Sequence, residues 1–150
     1  MIGPADHVGI AVRNLEAALG TYGRLGFNLE STEELPGQGV RVAFLVPGPI
    51  QLELLESLRA DGVIGRFLER RGEGLHHIAF RTEDIRSEMA RLGREGFDLV
   101  DREPRPGARG RTVAFLDPRS VHGVLLELVG ARPGPDRPAR PGSRDGPQRD

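Results

Sequence analysis

Two histidines and two glutamates of this sequence occupy equivalent places in an internal repeat. His7 and His77 open similar apolar segments, and Glu53 and Glu127 each stand between two leucines near the end of their repeat. Imidazole and carboxylate groups without sulfur suit Zn, Co, Ni, Fe or Mn ions. Four such ligands on an octahedral ion leave two open positions, where a substrate can bind through two oxygens and gain Lewis-acid stabilisation of an enolate. The pattern therefore predicts a metal site formed by His7, Glu53, His77 and Glu127.

The leucines beside the two glutamates bear on the burial of the carboxylates. Strand residues alternate between two faces, so a glutamate between leucines is also compatible with a solvated face. The pairs Leu54–Leu55 and Leu125–Leu126, however, place apolar groups on both faces of each strand. A strand covered on both faces buries its glutamate, and a buried carboxylate is costly unless it is paired or bound to a cation. We therefore expect both carboxylates inside the protein.

The repeat covers most of the chain. HVGIAVRNL (7–15) resembles HIAFRTEDI (77–85), and VAFLVP (42–47) resembles VAFLDP (113–118). The offset between the copies grows from 70 residues at the histidines to 74 at the glutamates, as small loop insertions would produce. A period of this length indicates duplicated structural units.

Each copy predicts the element order βαβββ. A helix follows the first strand in segments 14–26 and 83–96, with Asn14 as a plausible N-cap and with Gly26 and Gly96 at the C-terminal ends. Three further strands follow each helix, predicted at 27–32, 39–47, 50–56, 97–102, 111–118 and 123–129.

The copies define the predicted domain organisation. The modules span 6–57 and 75–130, and a linker helix within 61–72, stopped by Gly72, connects them into a single domain, 1–130. The remaining segment, 131–150, consists mainly of Pro, Gly, Arg and Asp, which cannot bury enough apolar surface to offset the entropy of ordering. We predict a disordered tail there.

Composition excludes several classes of function. A formal net charge of -1 creates no field that would attract nucleic acid or an anionic membrane. No apolar run approaches the roughly 18 residues of a membrane helix, and the N-terminus does not resemble a secretory signal. The absence of cysteine excludes disulfides, thiolate metal sites and cysteine nucleophiles. A cytoplasmic enzyme or binding protein is the expectation.

The adjacent histidines of GEGLHHIAF raise a question of orientation, because successive strand residues point to opposite faces. In the repeat, His77 aligns with His7, whereas His76 aligns with Asp6. We therefore predict that His77 points into the shared interior and that His76 points away from it.

With these motifs the sequence resembles the vicinal oxygen chelate superfamily and, within it, the methylmalonyl-CoA epimerase family. The segments that carry the resemblance are DHVGIAV, EELPGQGVRVAFL (33–45), IQLELLE, IGRFLERRGEGLHHIAF (64–80), EPRPGARG (103–110) and GVLLEL (123–128). The resemblance implies an α+β fold in which two tandem βαβββ modules form a cup-shaped mixed β-sheet around a metal.

The resemblance also implies an activity and its requirements. The expected reaction is epimerisation of (2R)- and (2S)-methylmalonyl-CoA by proton transfer at the α-carbon, through an enolate stabilised by the metal. The ligands correspond to His7, Glu53, His77 and Glu127. The resemblance further implies a divalent metal, with Co as first candidate and Mn, Ni or Zn as alternatives, an acyl-CoA substrate and a homodimer.

The proton-transfer groups do not follow from the resemblance alone. A base proposed in some members falls at Val42, which cannot accept a proton. Inversion of a carbon centre by two bases needs a proton-transfer group on each face of the planar intermediate. Because Glu53 and Glu127 are repeat mates, we interpret them as the two catalytic groups as well as metal ligands.

The segment REPRPGARGR (102–111) offers cations for the phosphates of CoA. Its arginines and loop amides are able to bind phosphate, although a solvated hairpin loop explains the same pattern. The arginines are Arg102, Arg105, Arg109 and Arg111. His122, which has no histidine as repeat partner, is expected on the surface or at the rim of a pocket.

Two other functions fit the same superfamily. A glyoxalase I-like isomerase would use the same metal chemistry on a glutathione hemithioacetal. A non-catalytic small-molecule binding protein, such as a bleomycin-type resistance protein, would share the fold without the full ligand set.

Overall fold

A computed structural model describes residues 1–131 of the chain. The first module contains one helix and four strands: β1 (Ala5–Val12), α1 (Leu15–Arg24), β2 (Asn28–Leu35), β3 (Val40–Val46) and β4 (Gln51–Ser57). The predicted disorder of the tail, 131–150, falls almost entirely outside the described residues.

The second module repeats this order after a connecting helix. Its elements are α2 (Val63–Arg71), β5 (Gly74–Thr82), α3 (Ile85–Arg94), β6 (Arg105–Pro106), β7 (Thr112–Leu116) and β8 (Leu126–Gly130). Helix α2 lies within the predicted linker segment, and its C-cap is Gly72, whose φ of 75° is unfavourable for side chains with a Cβ.

The strands of both modules form one sheet in the order β2-β3-β4-β1-β5-β8-β7-β6. The two first strands, β1 and β5, pair antiparallel at the centre. Each also pairs parallel with the last strand of its own module, β1 with β4 and β5 with β8. The predicted α+β class, with tandem βαβββ modules in a mixed sheet, is confirmed.

The helix ends follow the predicted local chemistry. The Asn14 side chain accepts a hydrogen bond from the Ala17 amide, and Asp84 caps α3 in the same way. Past the C-caps, Gly26 and Gly96 have positive φ angles of 104° and 88°. The two modules therefore begin and end their helices by the same devices.

The strand predicted at 97–102 is wrong. Only Leu99 forms a bridge there, with Leu116 of β7. The Asp101 carboxylate, rather than a backbone carbonyl, accepts the hydrogen bond of the Phe115 amide at 2.8 Å. Because a side chain takes this ladder bond and Pro104 has no amide hydrogen, regular pairing resumes only at Arg105.

Strand β4 is covered on both faces, as its paired leucines predict. On β4, Leu54 packs in a cluster with Leu15 of α1, while Leu55 packs on the other face with Ile64 and Leu68 of α2. Leu128 of β8 packs in the corresponding cluster against α3. The glutamates that precede Leu54 and Leu128 consequently lie on the face opposite α1 and α3.

Within residues 1–131 the structure contains no helix with the length and hydropathy needed to cross a membrane.

Candidate metal centre and substrate cavity

The four predicted ligands lie together and are buried. His7 Nε2 lies 3.0 Å from His77 Nε2, and Glu127 Oε2 lies 2.9 Å from His77 Nε2 and 3.5 Å from His7 Nε2. Glu53 Oε2 lies 3.4 Å from His7 Nε2. His7, His77 and Glu127 form the tightest group, with ligand atoms within 4.8 Å of one another, and Glu53 adjoins it through His7.

Sheet register brings the four residues together although they are far apart in sequence. Glu53 pairs with Gly9 of β1, and Glu127 pairs with Ala79 of β5. Gly9 and Ala79 are repeat mates, so both glutamates occupy the same place in their modules. Since β1 and β5 lie side by side, the two half-sites face each other across the central pair.

The two glutamates differ in their electrostatic surroundings. Burial alone would raise the pKa of Glu127, but hydrogen bonds with His7 and His77 outweigh it and lower that pKa to about 2. Burial raises the pKa of Glu53, and the nearby charge of His7, at 3.4 Å, offsets this only in part. Glu127 is thus held as a carboxylate, whereas the pKa of Glu53 is shifted in the opposite direction.

Bulges in the β1–β5 pair determine where the adjacent polar residues point. Pairing passes from Ala5 directly to His7, and from His77 directly to Leu75, so Asp6 and His76 are the extra residues. A bulge interrupts the alternation of side chains between the two faces of the sheet, so the side chain of the extra residue changes direction. His77 is buried in the site, as predicted.

The prediction that His76 points away from the interior is wrong. Because of the bulge, His76 lines the same cavity as His77, and their Nδ1 atoms lie 2.9 Å apart. Its ring also contacts Phe67 of α2 edge to face, at a centroid distance of 5.0 Å. Burial, and then His77, lower the pKa of His76 to about 4, so the ring is neutral near pH 7.

Asp6 is a site residue that sequence reasoning missed. Its Oδ2 lies 2.8 Å from His7 Nδ1, and its carboxylate accepts hydrogen bonds from Arg81 and Arg111. Burial opposes its charge, but the bonds with His7 and the two arginines hold its pKa well below the ordinary value. The sequence did contain a signal for Asp6: it aligns with His76 in the repeat, and each of the two polar residues directly precedes a predicted ligand histidine.

Gly9 provides space for the His77 ring. A Cβ atom on Gly9 would lie 2.3 Å from His77 Cε1, far inside van der Waals contact. The repeat mate of Gly9, Ala79, faces His7 in the same sheet and already carries a Cβ. The His77 half-site therefore depends on a glycine that the His7 half-site does not need.

The ligands open onto a cavity of about 330 Å³ that both modules line. Apolar walls come from repeat-equivalent strands, including Val42 of β3 and Val113 of β7. Cavities of this size and composition suit small organic ligands. Val42 presents only methyl groups to the site, so no base lies at this position.

The arginine segment of the second module reaches the first module beside this cavity. The Arg109 amide donates a hydrogen bond to Glu33, and its guanidinium donates one to Gln51. The guanidinium carbon Cζ lies 3.8 Å from the centroid of the Phe44 ring. Arg105, Arg109 and Arg111 line the cavity, whereas Arg102 is exposed and does not. His122 is exposed.

The donor set fits a divalent cation. Asp6 contacts His7 Nδ1, and His76 contacts His77 Nδ1, at hydrogen-bond distance. The Nε2 atoms of both histidines are therefore left to face the Glu127 carboxylate. Two imidazole nitrogens and carboxylate oxygens, all buried, are ligands typical of Zn, Co, Ni or Mn sites.

A comparison with protein families places the chain in a known group. Residues 6–115 match the model of the glyoxalase/bleomycin resistance protein/dioxygenase superfamily. The chain belongs to this superfamily. The match includes three of the four predicted ligands, and Glu127 lies beyond its C-terminal limit.

Two bacterial relatives are similar to this chain over most of its length. An uncharacterized protein of Bacillus subtilis, YqjC, is 43% identical over 124 residues, which cover 82% of this chain and 89% of that protein. An ethylmalonyl-CoA/methylmalonyl-CoA epimerase of Cereibacter sphaeroides is 39% identical over 131 residues, covering 85% of this chain and 98% of that enzyme.

A solved structure extends the similarity to three dimensions. A variant of the Streptomyces coelicolor methylmalonyl-CoA epimerase, in complex with 2-nitronate-propionyl-CoA, superposes with a TM-score of 0.83 at 39% identity. The superposition covers 87% of this chain and 99% of that chain.

Proposed function

We propose that this chain is an isomerase that interconverts (2R)- and (2S)-methylmalonyl-CoA by proton transfer at the α-carbon. The observation that carries the proposal is the convergence of two imidazoles and two carboxylates, from equivalent places in two modules, on one cavity. Its similarity to epimerases over more than four-fifths of the chain gives the substrate class.

A divalent cation would be held by His7, His77 and Glu127, with Glu53 as fourth ligand. When bound, it would supply Lewis-acid stabilisation of negative charge on substrate oxygens. Cobalt is the first candidate and Mn, Ni or Zn are alternatives, because all accept imidazole and carboxylate ligands.

The reaction requires two proton-transfer groups around one carbon. The α-carbon of the substrate carries a thioester and a carboxylate, and removal of its hydrogen leaves a planar enolate. Return of a proton to the opposite face inverts the centre. In the sheet order β4-β1-β5-β8, Glu53 and Glu127 flank the central pair from either side, so a substrate between them meets a carboxylate on each face.

We assign the two glutamates different main roles, proton transfer to Glu53 and metal binding to Glu127. Burial raises the pKa of Glu53, which makes its carboxylate the stronger base of the two, and Glu53 contacts one histidine, His7, at 3.4 Å. Glu127 contacts both histidines, which favours its anionic form and a firmer role as a ligand. We expect Glu53 to be the more mobile proton carrier of the two.

The acyl-CoA substrate needs cationic partners for its phosphates. Arg105 and Arg109 lie on the loop that borders the cavity, and the Arg109 guanidinium is oriented by Glu30, Gln51 and the Phe44 ring. Guanidinium groups bind phosphate through paired hydrogen bonds, so we assign CoA phosphate binding to this loop. The homodimer and the cytoplasmic location stay predictions of the sequence.

The decisive experiment starts from one epimer. The purified full chain is depleted of metal with a chelator, reloaded separately with Co, Mn, Ni or Zn, and given (2S)-methylmalonyl-CoA in deuterated water. We expect the (2R) epimer to form, as detected by a coupling enzyme specific for it, with deuterium at the α-carbon. Metal depletion should reduce the rate by roughly 10²-fold or more, because charge stabilisation of this kind contributes about that much.

The same preparation separates the alternatives. Turnover of the methylglyoxal–glutathione hemithioacetal without epimerisation would instead identify a glyoxalase I-like isomerase. A protein that binds no metal, is indifferent to chelator and turns over neither substrate would be a binding protein of the same fold.

A further inference from the structure

Both ligand histidines have their second nitrogen occupied by the residue that precedes them. Asp6 Oδ2 lies 2.8 Å from His7 Nδ1, and His76 Nδ1 lies 2.9 Å from His77 Nδ1. Each contact exists because a bulge makes Asp6 or His76 the extra residue of its strand. The two bulges lie at equivalent positions of the repeat, so they belong to the architecture of the site.

The contacts determine which nitrogen of each ligand carries a hydrogen. A carboxylate only accepts hydrogen bonds, so the bond with Asp6 requires a hydrogen on His7 Nδ1. Between His76 Nδ1 and His77 Nδ1, one atom must donate and the other accept. When His77 directs its Nε2 lone pair into the site, its Nδ1 is the donor and His76 is the acceptor.

The two acceptors are unequal in strength. Asp6 is an anion whose orientation is maintained by Arg81 and Arg111. His76 is an imidazole that rests on the Phe67 ring. A carboxylate that accepts the second N–H of a ligand histidine raises its basicity and fixes its ring, and a neutral acceptor does so less strongly.

We propose that Asp6 and His76 are positioning residues that select Nε2 of His7 and His77 as the cation-binding nitrogens, and that Asp6 makes His7 the stronger ligand. This inference rests on the proposed function only in that the site binds a divalent cation.

The test is a titration of the metal-depleted full chain with Co²⁺, followed by visible absorption. Asp6→Ala should weaken cobalt binding by about 10- to 100-fold, the usual effect of losing such a partner. His76→Ala should weaken it by a smaller factor. His76→Asn, which restores an acceptor of similar reach, should recover most of the loss.

Two matched variants control for general effects of substitution. Asp98→Asn and His122→Asn change exposed residues outside the site, and asparagine tolerates the positive φ of His122. Both should bind cobalt as the unmodified protein does. Melting temperatures of the metal-free proteins report folding separately from affinity.

A second measurement needs no variant. In the Zn²⁺-loaded protein, two-bond ¹H–¹⁵N correlations should show a hydrogen on Nδ1 and metal on Nε2 for both His7 and His77. Metal on Nδ1 of either histidine overturns the proposal. So does unchanged cobalt affinity in a folded Asp6→Ala, or a larger loss in His76→Ala than in Asp6→Ala. A wild-type chain that binds neither cation overturns the metal site and this inference together, while epimerisation without metal would leave the isomerase activity standing.

Discussion

The two halves of the proposed metal centre share a backbone arrangement and differ in their polar surroundings. In the first half Asp6 contacts His7, and in the second half His76 contacts His77. Both halves place the extra residue at a bulge and the glutamate opposite a small residue of the neighbouring strand. The duplicated scaffold sets where the ligands lie, while non-equivalent neighbours set how each behaves.

The glutamates show the consequence of this difference most directly. Glu127 contacts both histidines, and its pKa is lowered to about 2, whereas burial raises the pKa of Glu53. Symmetric ligand positions therefore do not imply symmetric chemistry. The proposed proton transfer on two faces of the substrate would thus use two differently tuned groups from one duplicated element.

Replacement of the glutamates tests this asymmetry and should produce the largest effects. Glu53→Gln and Glu127→Gln should each lower epimerisation by about 10²- to 10⁴-fold, the range for loss of a proton-transfer group. Cobalt affinity should fall further in Glu127→Gln, because Glu127 contacts both histidines. Rates from each epimer, solvent deuterium exchange and cobalt titration measure these effects.

The matched control for both substitutions is Glu69→Gln, an exposed change on α2 that should leave activity intact. Retained deuterium exchange from one epimer without epimerisation would support distinct bases. Full activity in both active-site variants would refute the assignment of these two glutamates to proton transfer.

Substitution of the small residues that pair with the two histidines, Gly9 with His77 and Ala79 with His7, should have an intermediate effect on stability and cobalt binding. Gly9→Ala places a Cβ 2.3 Å from the His77 ring, so we expect a loss of about 1–3 kcal/mol in the free energy of unfolding from overpacking. Cobalt affinity should fall as the ring moves. The repeat-equivalent change, Ala79→Gly, should cost only about 1 kcal/mol through backbone entropy and preserve cobalt binding.

Thermal unfolding and cobalt titration of the two variants provide the comparison. Equal cobalt affinity in Gly9→Ala and in the unmodified protein would show that the His77 ring position is not needed for binding.

The module helices differ in a way that should produce the smallest effect. In α3 the Glu88 carboxylate accepts hydrogen bonds from Arg91, which lower its pKa to about 2, whereas Ala18 and Thr21 occupy the equivalent places in α1. A carboxyl group whose pKa is lower in the folded state stabilises the protein at pH values above its unfolded-state pKa. That stabilisation is lost as the pH falls toward the folded-state pKa of about 2. Glu88→Gln should therefore cost about 1 kcal/mol at pH 7 and progressively less below pH 4.5.

Denaturant unfolding of this variant and the unmodified protein at several pH values measures the difference. A gap in stability that stays constant from pH 7 to pH 2.5 would contradict the proposed contribution of the Glu88 charge. Thr21→Ala serves as the control in the equivalent turn of α1 and should show no such pH dependence.

Local patterns sufficed to predict most elements of the fold. The helix caps at Asn14 and the glycine ends at Gly26, Gly72 and Gly96 depend on residues within one turn of each other, which sequence displays directly. The strand predicted at 97–102 was wrong because the Asp101 side chain competes with the backbone for a ladder bond. That competition depends on β7, which follows later in the chain.

By itself the sequence determined the duplication and the four candidate ligands, because identical residue types at an offset of 70 to 74 residues mark equivalent places in equivalent modules. Only the tertiary structure decided the surroundings of those ligands. The register of β1 against β5 produced the bulges that placed Asp6 and His76 on the histidines, and it left space at Gly9 for one ring. This pairing joins segments about 70 residues apart in the sequence. Its bulges arise from contacts between the two strands, which the residues of either strand alone do not predict.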